Sequence, residues 1–325
     1  MHTLILNAAP GGPRCSAALA PLRLPHLQQL LNHLTPTPLV HGTATDLTPV
    51  HERLLAASRG LVGADMANGL IPWAALDAQQ LGLTEAADRD PHGGWAWITP
   101  CHWAIHSDHV YMDDPLALAL TPHDADSLFR DMQPYFAEDG ITLHARNAGL
   151  GHSHWLAYGR VFANLPTASL DRVSGQVVDP WMPRQAQAQG LRRLQNEMQM
   201  LLYTHPVNDS RARFHLPAVN AFWVSGTGAL PDTAPSLPTK ECRVRNALQL
   251  PAEQDDAPAW VQAWQALDST TLALEQQRLE QGHSVQVTLC GTDSAQTFTL
   301  QPLTTWQRLL RRLNPPRLHD ILKAL

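Results

Sequence analysis

Two textures of apolar and polar positions alternate along the chain. Leucines recur at helical spacing in LPHLQQLLNHL (24–34), where a proline is tolerated in the first turn, and predict an amphipathic helix. TPVHERLLAASRGL (48–61) predicts a second helix, with Thr48 as N-cap, Pro49 at the first helical position and Gly60 as its stop. IPWAALDAQQLGL (71–83), LTPHDADSLFRDMQPYF (120–136), PRQAQAQGLRRLQNEMQMLLYTH (183–205) and residues 257–280 carry the same period. Strands are predicted where β-branched and aromatic residues gather: 3–8, 284–290, 296–300 and 218–228, the last running into a glycine turn. GWAWITPCHWAIHSDHVYMDD (94–114) reads as two strands with a turn near Ser107–Asp108, and 141–145 with 154–159 as an antiparallel pair. Residues 229–256, rich in Pro, Thr and Asp, read as a loop, and two short helices close the chain.

Alternation of β and α at both ends predicts an α/β core over 1–94 and 166–325. The change of texture over 95–165, a helix followed by paired strands, predicts a small inserted α+β domain.

Composition narrows the classes. The chain has 325 residues, 44% of them apolar, enough for a substantial core, and its 16% charged residues with 10 Trp argue against disorder. A net charge of −6 and a pI near 6.3 disfavour a nucleic-acid or acidic-lipid surface. No stretch approaches the ~20 apolar residues of a membrane span. The N-terminus has no basic region before its short apolar run, and Cys15, Cys101, Cys242 and Cys290 are far apart with no CxxC pair. A cytoplasmic, reducing compartment is therefore expected, with neither a disulfide scaffold nor a thiolate zinc site.

The 17 histidines cluster locally. In CHWAIHSDH (101–109), strict alternation puts His102 and His106 on one face and His109 opposite, which favours half-buried sheet histidines over a metal site. His152 and His154 of GHSHW share a face, and the structural reading is again favoured. THPVNDSRARFHLPAVNAFWVSGTG (204–228) ends on Gly226 and Gly228; such a turn suits backbone N–H contacts to phosphate or simply a positive φ. Cys290 closes a strand with no base nearby in sequence and reads as a small core residue.

The order of motifs resembles one family. ASLDRVSGQVVDPWMP (168–183), the long helix, then H-P-V-N-x-x-R and N-A-F-W-V-x-G-x-G are similar to the archaeal-type cofactor-independent phosphoglycerate mutases of the alkaline phosphatase superfamily. His205, Pro206, Val207, Asn208, Arg211, Asn220, Trp223, Gly226 and Gly228 match without a gap. LPHLQQL, PVHERLLAASRG, IPWAALDAQQLGL and WVQAWQALDSTTLAL extend the likeness over most of 1–295, with Asp268 in register with the aspartate of the family's I-E-x-I-D helix. Within the family the chain most resembles the proteobacterial RpfE-type regulatory proteins. The fold implied is an alkaline-phosphatase-like, mostly parallel sheet flanked by helices.

The departures carry the functional expectation. The family's metal-assisted transfer to a serine needs an aspartate after the first strand, the serine, and Asp and His ligands in the second half. Here Asn7-Ala8 stands for Asp-Gly, His51 followed by Glu52 for the serine, and Cys290-Gly291 for Asp-His. A D-x-x-x-H segment is missing, and ITPCHW replaces the substrate-side R-C-N. The resemblance thus implies a catalytically degenerate relative, a regulatory or binding module with no cofactor and no bound metal. Its expected partner is a phosphorylated small molecule or a protein. The alternative is an active mutase or phosphoester enzyme with a rearranged site, using Mn or Zn, with His51 as the candidate acceptor. Ligand-binding candidates are Asn7, His205, Asn208, Arg211, Asn220 and Cys290. Asn7, His51 and Cys290 are expected to meet at the C-terminal edge of one sheet, and His205, Asn208 and Asn220 in one hydrogen-bonded cluster.

Overall fold

A computed structural model of the chain describes residues 1–61, 68–83, 85–145, 154–230, 242–301 and 316–325. It divides into two compact units: Met1–Thr45, Pro49–Gly60 and Pro235–Leu325 form unit 1, and Asp46–Thr48 with Leu61–Ala234 form unit 2. The chain opens with β1 (His2–Ile5), α1 (Pro13–Ala18), α2 (Pro25–His33), β2 (Thr35–Pro36), β3 (Val40–His41) and α3 (Val50–Ser58). Next come α4 (Trp73–Gln80), α5 (Glu85–Arg89), β4 (Gly94–Cys101), β5 (Trp103–Ile105), β6 (Val110–Met112), α6 (Pro122–Glu138), β7 (Thr142–His144) and β8 (Trp155–Gly159). Then follow α7 (Leu170–Val173), α8 (Gln189–Tyr203), α9 (Pro206–Arg213), β9 (Ala221–Gly228), β10 (Cys242–Arg245), α10 (Gln249–Glu253) and α11 (Ala257–Leu267). A π-helical turn (Asp268–Leu272) leads into α12 (Ala273–Glu280), followed by β11 (Gln286–Cys290), β12 (Ser294–Thr299) and α13 (Leu318–Ala324).

The sheet of unit 1 is mixed. β1 pairs in parallel with β10 and β11, whereas β11 pairs antiparallel with β12, and β12 antiparallel with β2 and β3. The expected mostly parallel sheet is thus corrected to a parallel trio continued by antiparallel strands. The reason is local: only Gly291–Asp293 separate β11 from β12, and so short a turn cannot make the crossover a parallel pair needs. β1 is buried at every position, as a strand covered on both faces should be. Leu27, Leu30 and Leu31 of α2 pack with Trp260 and Trp264 of α11 and with Val287 and Leu289 of β11. The two indoles are fully buried and meet edge to face with centroids 6.3 Å apart.

Unit 2 is built on an antiparallel sheet in the order β7–β8–β4–β9. It is wider than the 95–165 segment singled out from texture, because β4 pairs with β9 from Cys101↔Ala221 to Trp95↔Gly228 and so ties 221–228 to the same sheet. Phe136 of α6, Leu194 and Met198 of α8, and Phe222 of β9 share its main core. The glycines ending β9 serve packing of α4. A Cβ on Gly226 (φ +64) would lie 2.9 Å from the Trp97 ring, and one on Gly228 would lie 3.2 Å from Pro72.

Other differences from the sequence reading are local. The 94–114 segment forms three strands, β4, β5 and β6, instead of two, while the turn lies over Ser107–Asp108 as expected. α3 has Pro49 as its N-cap and Val50 as its first residue, while the Thr48 hydroxyl accepts from the Gly69 N–H (2.9 Å). The 229–256 loop contains β10 and α10. The first of the two terminal helices expected lies outside the described residues. Among the described residues, no helix is long and apolar enough to cross a membrane.

Candidate functional site

The parallel trio β10–β1–β11 brings the C-terminal ends of three strands to one edge, the place where open α/β sheets receive ligands. The chain leaves β1 along this edge. The Leu6 N–H donates to the Arg245 carbonyl (2.9 Å) and the Ala8 N–H to the Cys290 carbonyl (2.7 Å). Between them Asn7 takes a left-handed conformation (φ 50), which an asparagine tolerates better than most residues. Val50, the first residue of α3, packs with Leu4, Leu6, Cys290 and Ala295, so His51 and Glu52 follow on the turn laid against the same strand ends. Asn7 and Cys290 therefore come to one edge, and His51 follows the residue of α3 that packs there.

Asn7 and Cys290 bring no charge to that edge, and Glu52 is the carboxylate that follows His51 there. Cys290 is 1% exposed, and burial pushes its thiol far above the usual range, with nearby Cys242 adding to the shift. Gly291 lies so close to Leu325 that a Cβ there would be 2.3 Å from its carbonyl oxygen. The Ser294 hydroxyl donates to that same carbonyl. α13 and Leu325 thus seat on the β11–β12 turn. Asp268, buried in the π-helical turn, caps α2: one oxygen accepts from the Leu27 N–H (2.8 Å) and the other from the His26 N–H (3.2 Å). The remaining thiols are also held neutral. Burial pushes Cys15 up to about 11, aided by Asp255, and raises Cys101 and Cys242. Thiol labelling at pH 8 should accordingly be slow for Cys15, Cys101 and Cys290 in the native protein, and all four cysteines should react quickly in denaturant. Fast native labelling of Cys290, located by peptide mapping, would contradict the buried edge.

His205, Asn208, Arg211 and Asn220 all belong to unit 2 and work as stitches. His205 caps α9: the Val207 N–H donates to its Nδ1 (3.2 Å), so the proton sits on Nε2, which donates to Asp131 (2.9 Å). The Asn208 amide donates to the Leu202 and Val219 carbonyls (2.8 Å each), and its oxygen accepts from the Val219 N–H (2.8 Å). Asn220 reaches across to β5, accepting from the Trp103 N–H (2.7 Å) and donating to the Trp103 carbonyl (2.9 Å). Arg211, 2% exposed, donates to the Pro217 and Leu118 carbonyls and pairs with Asp124 at 3.2 Å. The partners Asp131 and Asp124 were missed in the sequence. They lie seven residues apart on the polar face of α6, and that spacing is the only signal of them.

His102 and His154 also have structural partners. His102 uses Nδ1 on the Ala218 carbonyl (2.7 Å). His154 packs its ring on Trp97 (5.2 Å), with its Nε2 3.7 Å from Asp77, while His152 lies outside the described residues. Within unit 2, a cavity of about 300 Å³ is lined by Ala75, Leu83, Trp95, Tyr158 and Leu230 among others, and none of the predicted site residues lines it.

No protein-family model matches the chain, and no curated protein does. Solved structures similar to it include the following two. A cofactor-independent phosphoglycerate mutase from Thermoplasma acidophilum aligns over 100% of this chain and 98% of its own, at 12% identity and a TM-score of 0.40. The PH0037 protein from Pyrococcus horikoshii aligns over 92% of this chain and 87% of its own, at 11% identity and a TM-score of 0.45. Likenesses at this level do not decide the family, and neither bears on the RpfE-type branch.

Proposed function

We propose that this chain is a catalytically degenerate phosphoglycerate-mutase-like protein acting as a regulatory or binding module. The observation that carries the reading is the make-up of the strand-end edge of unit 1. An amide (Asn7) and a neutral, buried thiol (Cys290) occupy the positions that the sequence resemblance assigns to a carboxylate and an Asp-His pair. Two divalent cations need anionic oxygens to balance their charge, and neither side chain supplies one. Asp268, in register with the family's aspartate, has both carboxylate oxygens engaged in capping α2. A phosphorylated three-carbon acid is the first ligand to try, and a protein partner is the second.

The test is conversion of 3-phosphoglycerate to 2-phosphoglycerate by EDTA-treated full-length protein, with and without added Mn²⁺. No turnover is expected in either arm. Mn²⁺-dependent turnover that His51→Asn abolishes would establish the rearranged enzyme instead. A thermal shift separates the two partner classes: at a hundredfold excess of 3-phosphoglycerate over its Kd, a bound ligand stabilises by about 2.7 kcal/mol. An unchanged melting temperature at saturating concentrations would favour the protein partner.

A further inference from the structure

The hairpin β5–β6 carries a constellation that none of the sites above uses. The His106 N–H donates to the His109 carbonyl (2.9 Å), closing a turn over Ser107 and Asp108. The turn resets the alternation, so His106 and His109 face each other across the hairpin instead of lying on opposite faces. Their rings stack at 5.8 Å between centroids and 22° between planes. Tyr111, two residues beyond His109 on the same face, meets both rings edge-on, at 5.2 Å to His106 and 4.8 Å to His109. The Asp108 carboxylate contacts Nδ1 of His109.

We propose that this hairpin tip is a site for a divalent transition-metal ion, held by the imidazoles of His106 and His109. Three observations converge on it. Two imidazoles on paired positions need only side-chain rotation to bring their nitrogens to the ~2.0–2.1 Å at which one ion is bound. Asp108 contacts Nδ1 of His109, the carboxylate–histidine contact that orients a metal ligand, and leaves Nε2 as the nitrogen open to an ion. Tyr111 packs edge-on against both rings and keeps them side by side on one face of the hairpin. His106 is exposed and the His109 side chain is 33% exposed, so the ion has access from solvent. Nitrogen ligands place the site in the Irving–Williams series, with Cu²⁺ bound more tightly than Zn²⁺ and Mn²⁺ weakest. Two protein ligands leave the other coordination positions to water or to a donor from a second molecule. The site does not depend on the phosphoglycerate reading.

The experiment is calorimetric titration of the EDTA-treated full chain with Cu²⁺ and, separately, Zn²⁺. Wild-type protein is expected to show one saturable equivalent that the His106→Asn/His109→Asn double variant lacks. Asp108→Asn should keep the equivalent with affinity lowered about tenfold. His33→Asn, at an exposed histidine of α2, serves as the control and should leave the equivalent unchanged. Unchanged stoichiometry and affinity in the double variant overturn the proposal. If that variant does not fold, Cu²⁺ broadening of histidine side-chain NMR signals in the wild type decides. Loss of the His106 and His109 signals at sub-stoichiometric Cu²⁺ supports the site, and broadening confined to other histidines overturns it.

Discussion

Replacing Arg211 by methionine is expected to destabilise unit 2 by about 3–5 kcal/mol, the cost of breaking a buried ion pair from one side. Methionine keeps much of the volume but none of the donors. The carboxylate of Asp124, 13% exposed, loses its cation, and the carbonyls of Leu118 and Pro217 lose their hydrogen bonds. Asp124 stays in the first turn of α6, where the helix dipole compensates part of its charge, so the loss belongs at the lower end of that range. Hydrogen exchange of α6 and β9 amides in the full chain reads the change within unit 2. The Asp124→Asn/Arg211→Met double variant should cost less than the sum of the two single changes, because the stranded charge is gone. A loss under ~1 kcal/mol would mean that Arg211 is a solvent-facing ligand residue and not a structural anchor.

Asp268→Ala should lower the stability of unit 1 by about 2–3 kcal/mol, since both carboxylate oxygens accept backbone donors at the start of α2. The N-cap residue of α2 is Leu24, whose side chain makes no cap hydrogen bond, so Asp268 supplies from another helix what the local sequence lacks. Asp268→Asn should recover part of the loss, because its amide retains one acceptor but no charge. Exchange of the His26 and Leu27 amides is the direct readout. These should become the fastest-opening amides of α2 in the alanine variant, and unchanged protection would show that another group caps the helix.

Much of the local structure was legible in the pattern of residues. α2 lies within 24–34, α6 overlaps the helix expected at 120–136, and α11 through α12 spans the 257–280 segment, each because a leucine- or aromatic-rich face recurs at the helical period. β10 was not legible. CRVR is a short edge strand with two arginines, and its place beside β1 comes from pairing and not from composition. β2 and β3 have two residues each and carry no periodicity. In the candidate site, the density of His, Asn and Arg over 204–220 marked a polar cluster, but Asp124 and Asp131, which complete it, lie on a helix far away in sequence.

The sequence by itself determined the residue types that the resemblance sets at the family's site positions: an asparagine, a histidine followed by a glutamate, and a cysteine. An asparagine lacks a carboxylate whatever its packing, whereas the neutral state of the Cys290 thiol comes from its burial. The sequence also determined most helices, because periodic burial is encoded within each segment. Only the tertiary structure decided what the polar residues do. Hydrogen-bond partners come from distant segments, so whether Arg211 awaits a ligand or holds two carbonyls and a carboxylate depends on where those groups are brought. The turn at His106–His109 makes the same point in a few residues. Alternation assigns faces correctly along one strand, and a reversal of the chain, which alternation cannot register, puts the two imidazoles together.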